Sequence, residues 1–186
     1  MQLRVVNAQS GGVFPESYTC DGKNVSPPLT IDDVPEGTRS IGLYMLDPSV
    51  EYGAYTHWLL WNLPPDLEGL PAGIPPGFDL EKFPGAVQGR NSEGDHAYTG
   101  PCPPEGEEHN YFLTVFALET ELDLDRDTER KGFRHAMRGH VINSTRFHTF
   151  YRRKKAEGTD EFPDAESSDR KGDTDEPKGH ILDDFS

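Results

Sequence analysis

Three polar side chains stand at the margins of apolar runs and could share one site. Asp47 closes the run 39–46 and precedes Pro48, His57 opens the run 58–63, and His109 precedes the run 111–118. Ahead of His109 lies YTGPCPPEGEEHNY (98–111). Its prolines at 101, 103 and 104 fix φ and remove backbone donors, so this is a stiff loop and not a central strand. A proline rim beside a buried strand can hold a histidine in place. Taken singly, each residue has an ordinary reading: Asp47 as a turn former before proline, His57 as a strand-edge histidine, His109 as a surface histidine among acids.

Together they permit three chemistries. The first is an anion site: a carboxylate nearby biases histidine toward its charged form, two imidazoles then donate to phosphate oxygens, and Tyr111 adds a hydroxyl. The second is a metal site, since two histidines and one carboxylate are the ligand set of open-coordination iron enzymes. These ligands, however, are far apart in sequence and no HxD or HExxH pattern is present. The third is a cysteine hydrolase built from Cys102, His109 and Asp47. That thiol sits between prolines in acidic surroundings, with no helix N-terminus to activate it. No Gly-rich phosphate loop or GxSxG elbow occurs. The anion site is the preferred reading, with no cofactor.

The chain as a whole narrows the partners. Its 186 residues suit one domain of substantial core plus a tail. With 33 acids against 18 bases the formal charge is −15. That excludes nucleic acid and anionic membrane surfaces as expected partners and suits a protein kept soluble in a high-salt cytoplasm. No apolar run approaches the ~20 residues of a membrane span. The opening MQLRVV lacks the core and cleavage site of a signal peptide, so the expected location is the cytoplasm. The two cysteines are too few for a disulfide framework and form no CxxC pair.

The positioning elements are mostly strands. Residues 4–6, 39–46, 57–63 and 111–118 carry aliphatic and aromatic residues bounded by Gly, Pro and Asp, and the loops between them are rich in Gly and Pro. Such a chain predicts a mostly β fold, a sandwich, with helix only near the C-terminus. Asp127 and Thr128 are expected to cap a helix presenting Phe133, Ala136 and Met137 on one face, and Gly139 to end it. Residues 141–147 then lead to a short β-like piece ending near Tyr151. From Arg152 onward the chain turns polar, and 152–186 is expected to be a disordered acidic tail after a 1–151 domain.

Four blocks in order resemble the phosphatidylethanolamine-binding proteins, in the prokaryotic Raf-kinase-inhibitor-like YbhB/YbcL branch. They are YTCDGKNVSPPL (18–29), Asp47-Pro48, THWLLWNLP (56–64) and the 98–111 segment; Ala136 to His140 resembles the branch's C-terminal helix. The resemblance implies an antiparallel β-sandwich with short peripheral helices and a small pocket at one end. It carries ligand-binding roles onto Asp47, His57, Pro103, Pro104, His109 and Tyr111. The implied ligand is phosphate, a phosphoryl headgroup or an acetate-like anion, and no hydrolysis is implied. A regulator acting on a protein partner through the rim is the alternative, a hydrolase or metalloenzyme the third reading, and a homodimer is possible. Two departures stand out: Ser49 replaces the family's acid, which removes a repelling charge, and Asn110 replaces its arginine. The resemblance also brings Cys20 and Cys102 together beside the pocket, where two separate thiols are favoured over a bridge in a reducing cytoplasm.

Overall fold

The computed structural model describes residues 1–51 and 53–154. The expected tail from residue 155 on therefore lies outside the described residues. Strands β1 (Gln2–Val5), β3 (Leu29–Asp32) and β6 (Gly69–Leu70) form a small sheet in the order β1-β3-β6. The larger sheet runs β2-β9-β8-β4-β5-β7, from β2 (Gly12–Val13), β4 (Ser40–Asp47), β5 (Tyr55–Leu63), β7 (Val87–Gln88), β8 (Glu108–Leu118) and β9 (Val141–Arg152). All pairings between these strands are antiparallel except β2 against β9, where Gly12 lies opposite Thr149 in parallel.

The central strands explain why the sequence lacks alternation there. β5 reads HWLLWNL almost without a polar break because both of its faces are covered. Trp58 and Leu60 point into the core shared with the small sheet, together with Ile41, Leu43, Met45, Tyr111 and Leu113. Leu59 and Trp61 point the other way, onto Phe133 and Met137 of the α1 region (α1 is Arg130–Ala136). Gly42 permits this close approach: a Cβ there would lie 2.6 Å from the Phe133 ring.

The helix keeps its apolar face but not its expected cap. Glu129 occupies the cap position without a side-chain hydrogen bond. Asp127 is instead engaged by Arg90 at 2.8 Å and His96 at 3.2 Å. Gly139 ends the segment at φ 86°, a left-handed conformation that favours glycine. After it β9 is a single strand of 12 residues, longer than the short terminal piece the sequence implied. The chain stays bonded past Tyr151: Arg153 exchanges backbone bonds with Gly106 and Glu107 and reaches Asp21 through Nε at 3.1 Å.

Candidate functional site

Asp47, His57 and His109 do converge. Asp47 ends β4 and is buried at 4 % exposure. Its Oδ2 accepts a hydrogen bond from His109 Nδ1 at 2.7 Å, and its Oδ1 accepts the Ser49 N–H at 2.7 Å. The two strands concerned, β4 and β8, are adjacent and antiparallel, which places the end of one beside the start of the other. His57 arrives by a bulge. Met45 pairs with Trp58 and Leu46 with Thr56, so His57 is the extra residue with no opposite number on β4. A bulge of this kind re-aims a side chain.

These residues line a cavity of about 660 Å³ with Tyr55, Thr99, Gly100, Cys102 and Pro104. Pro103 is buried behind the rim and does not line the cavity. Tyr111 is fully buried against His57, ring centroids 5.3 Å apart. Its hydroxyl has no partner in hydrogen-bond geometry. Burial, then the neighbouring Asp47 charge, raise its pKa well above the ordinary phenol value.

The electrostatics correct the picture of two charged imidazoles. His57 Nδ1 lies 2.7 Å from the Thr99 carbonyl, which can only accept, so Nδ1 carries the proton. The neutral ring then presents a bare Nε2. Burial lowers the His57 pKa below its ordinary 6.5; the Thr99 carbonyl and the Asp47 and Glu93 charges oppose this and His109 adds to it. His57 is therefore held neutral near pH 7, because loss of hydration outweighs the nearby carboxylates.

The rim is also more acidic than the Ser49 departure suggested. Glu51, Glu93 and Glu107 line the cavity alongside Asp47, and among the described residues no lysine or arginine does. Glu107 Oε2 sits 3.6 Å from His109 Nε2. Glu93 accepts the Tyr55 hydroxyl at 2.8 Å and the Thr99 hydroxyl at 3.2 Å. The sequence reading missed Glu93 because it reaches the site from a loop folded around Asn91, whose Oδ1 caps the Glu93 and Asp95 N–H groups at 2.9 Å. The departures at 49 and 110 touch each other: Asn110 donates its backbone N–H to Ser49 Oγ at 3.1 Å. The Asn110 side chain turns to β9 instead, where its oxygen meets His148 Nε2 at 2.8 Å.

The proline loop is fastened to the N-terminal segment at several points. Cys20 and Cys102 are joined in a disulfide with Cα atoms 5.4 Å apart, in place of the two separate thiols expected. The pairing follows from the fold: Cys20 N–H bonds the Pro101 carbonyl, Gly100 N–H bonds Asn24 Oδ1 at 2.7 Å, and the Tyr98 hydroxyl bonds the Tyr18 carbonyl at 2.6 Å. A sulfur held this way is no hydrolytic nucleophile, which removes the Cys102 hydrolase. Among the described residues no three His, Cys, Asp or Glu side chains group closely enough to hold a metal ion.

The described residues thus form a two-sheet β fold with a carboxylate-oriented histidine in a pocket. The phosphatidylethanolamine-binding protein model matches residues 6–152, and the chain belongs to that family. It is 41 % identical over 154 residues to a UPF0098 protein of Methanothermobacter thermautotrophicus, covering 82 % of this chain and 99 % of the relative. A UPF0098 protein of Pyrococcus horikoshii is 39 % identical, covering 83 % of this chain and 78 % of the relative. Among solved structures, Escherichia coli YbcL, described as a member of the mammalian PEBP family, aligns with a TM-score of 0.75 at 30 % identity. That alignment covers 82 % of this chain and 98 % of YbcL. A putative PEBP homologue of Chlamydia trachomatis aligns with a TM-score of 0.73 at 31 % identity, covering 82 % and 97 %.

Proposed function

We propose that the protein is a non-catalytic binding protein whose end pocket takes a small phosphoryl-bearing ligand of the headgroup type. The observation that carries this reading is the paired imidazoles. His109 is oriented by Asp47 and His57 by the Thr99 carbonyl, and both belong to one cavity. Two rings fixed by partners on one side leave their other nitrogens for a ligand. The four carboxylates add a condition: a bare dianion is repelled, so the ligand brings a proton or a cation of its own. A phosphoryl group carrying an ammonium, the chemistry in the family's name, meets that condition. Among the described residues no helix is long and apolar enough to cross a membrane.

Calorimetry with phosphate, ethanolamine and phosphoethanolamine tests this. Phosphoethanolamine should bind best of the three. His109→Ala should weaken it by roughly 1.5–3 kcal/mol, the worth of a hydrogen bond to a charged group. Unchanged affinity in that variant would sink the role.

A further inference from the structure

His57 presents the cavity with an acceptor. Its Nδ1 donates to the Thr99 carbonyl, so Nε2 carries a lone pair and no proton. The residue is 5 % exposed and lines the cavity, and no described residue donates to Nε2. An unprotonated phosphoryl oxygen cannot bond this nitrogen, because both atoms only accept. Once a ligand covers it, an acceptor left without a donor is costly, so the ligand that fits brings a donor to this ring.

The wall beside His57 carries a fixed negative charge. Both oxygens of Glu93 are held by hydroxyls, Oε1 by Tyr55 at 2.8 Å and Oε2 by Thr99 at 3.2 Å. Thr99 Oγ1 in turn accepts an N–H of the Asn91 amide at 3.0 Å, which aims its own proton at the carboxylate. The two residues that hold Glu93 also hold His57: the Thr99 carbonyl bonds the ring, and the Tyr55 ring lies against it with centroids 4.7 Å apart. Neutral hydroxyls fix a carboxylate without balancing its charge. Among the described residues no Lys, Arg or His pairs with Glu93. The charges of Asp47 and Glu107 are directed at His109 instead, at 2.7 and 3.6 Å.

We propose that His57 and Glu93 form the cation end of the pocket: an ammonium N–H of the ligand donates to His57 Nε2, and Glu93 supplies the counter-charge. The pocket then takes amines that carry an N–H and disfavours quaternary ones. This rests on the phosphoryl-ammonium reading above and divides the work of the two imidazoles, since the phosphoryl group falls to His109. A trimethylammonium has the same charge but no N–H. It satisfies Glu93 and leaves Nε2 covered without a donor. Tyr55 and Thr99 act through Glu93 and His57 and are positioning residues.

Calorimetry with phosphoethanolamine, phosphocholine and ethyl phosphate separates the charge from the N–H. Phosphoethanolamine should bind about tenfold tighter than phosphocholine, the worth of one hydrogen bond from a charged group. Ethyl phosphate, which has no ammonium, should bind more weakly than phosphoethanolamine. Glu93→Gln keeps the shape and removes the charge. In that variant phosphoethanolamine affinity should fall about tenfold while ethyl phosphate affinity rises, because an anion is no longer repelled. His57→Leu removes the acceptor and should erase the preference for phosphoethanolamine over phosphocholine; if that variant does not fold, the wild-type preference decides. Equal affinity of the wild type for phosphoethanolamine and phosphocholine overturns the assignment and leaves the phosphoryl-ammonium reading in place. So does a Glu93→Gln variant that binds phosphoethanolamine as the wild type does. Ethyl phosphate binding as tightly as phosphoethanolamine would show that a phosphoryl proton meets Nε2, and overturns it equally. No binding of phosphoethanolamine overturns both.

Discussion

Asp47 Oδ2 lies 2.7 Å from His109 Nδ1 across 62 residues of sequence. The carboxylate is almost fully buried and fixes which ring nitrogen faces the ligand side. Asp47→Asn keeps the shape and removes the charge. Calorimetry should show phosphoethanolamine affinity falling about tenfold, as expected when a charge-assisted bond becomes a neutral one. Affinity equal to wild type would show that the dyad does not orient the ring for binding.

His57 makes stability depend on pH with a definite sign. Its folded pKa lies below the ordinary 6.5, so between those two values the unfolded chain binds more protons. Stability should be unaffected by this group above 6.5 and fall as pH drops below it, levelling once the folded value is passed. Urea midpoints across that range should show the fall, and His57→Gln should flatten it. A midpoint rising on acidification in wild type but not in the variant would reverse the assignment.

The Cys20–Cys102 bond closes a loop across a separation of 82 residues. Cys102→Ser together with Cys20→Ser should cost about 2–4 kcal/mol of stability, the usual range for a native disulfide. Because Cys102 lines the cavity, phosphoethanolamine affinity should fall as well. Mass spectrometry of the unreduced protein after alkylation checks the bond itself. Two free thiols in freshly purified protein would contradict it.

Tyr111 tests how the pocket floor is bonded. A buried hydroxyl without a partner costs about 1–3 kcal/mol, and removing it relieves that cost. Tyr111→Phe should therefore leave the melting temperature unchanged or raise it. A clear drop would mean that the hydroxyl bonds the Asp47 carboxylate beside it.

The core strands and the meeting of Asp47, His57 and His109 were legible because each residue sits at the margin of an apolar run that both layers cover. Other features were set by partners that pattern does not encode. The bulge at His57 depends on the β4–β5 register, and the neutral state of His57 on its burial under Tyr55 and against Tyr111. Glu93 comes from a loop whose shape is fixed by the Asn91 amide. Pro103 and Pro104 look alike in sequence, yet one is buried and the other lines the cavity. The first half of β9, VINSTR, hides its strand character because neither face nor its outer edge is covered, so no alternation is enforced.

The parallel pairing of Gly12 with Thr149 bears on how the chain is made. A ribosome releases β2 long before its only ladder partner exists. The first strand of the larger sheet thus waits, unpaired, for nearly the entire domain to emerge. Cys20 and Cys102 both precede β9 in the chain, so both halves of the bond that fastens the pocket wall are made before the strand that completes the sheet. The N-terminal segment finds its seat on the larger sheet only when the last strand of the domain has been made.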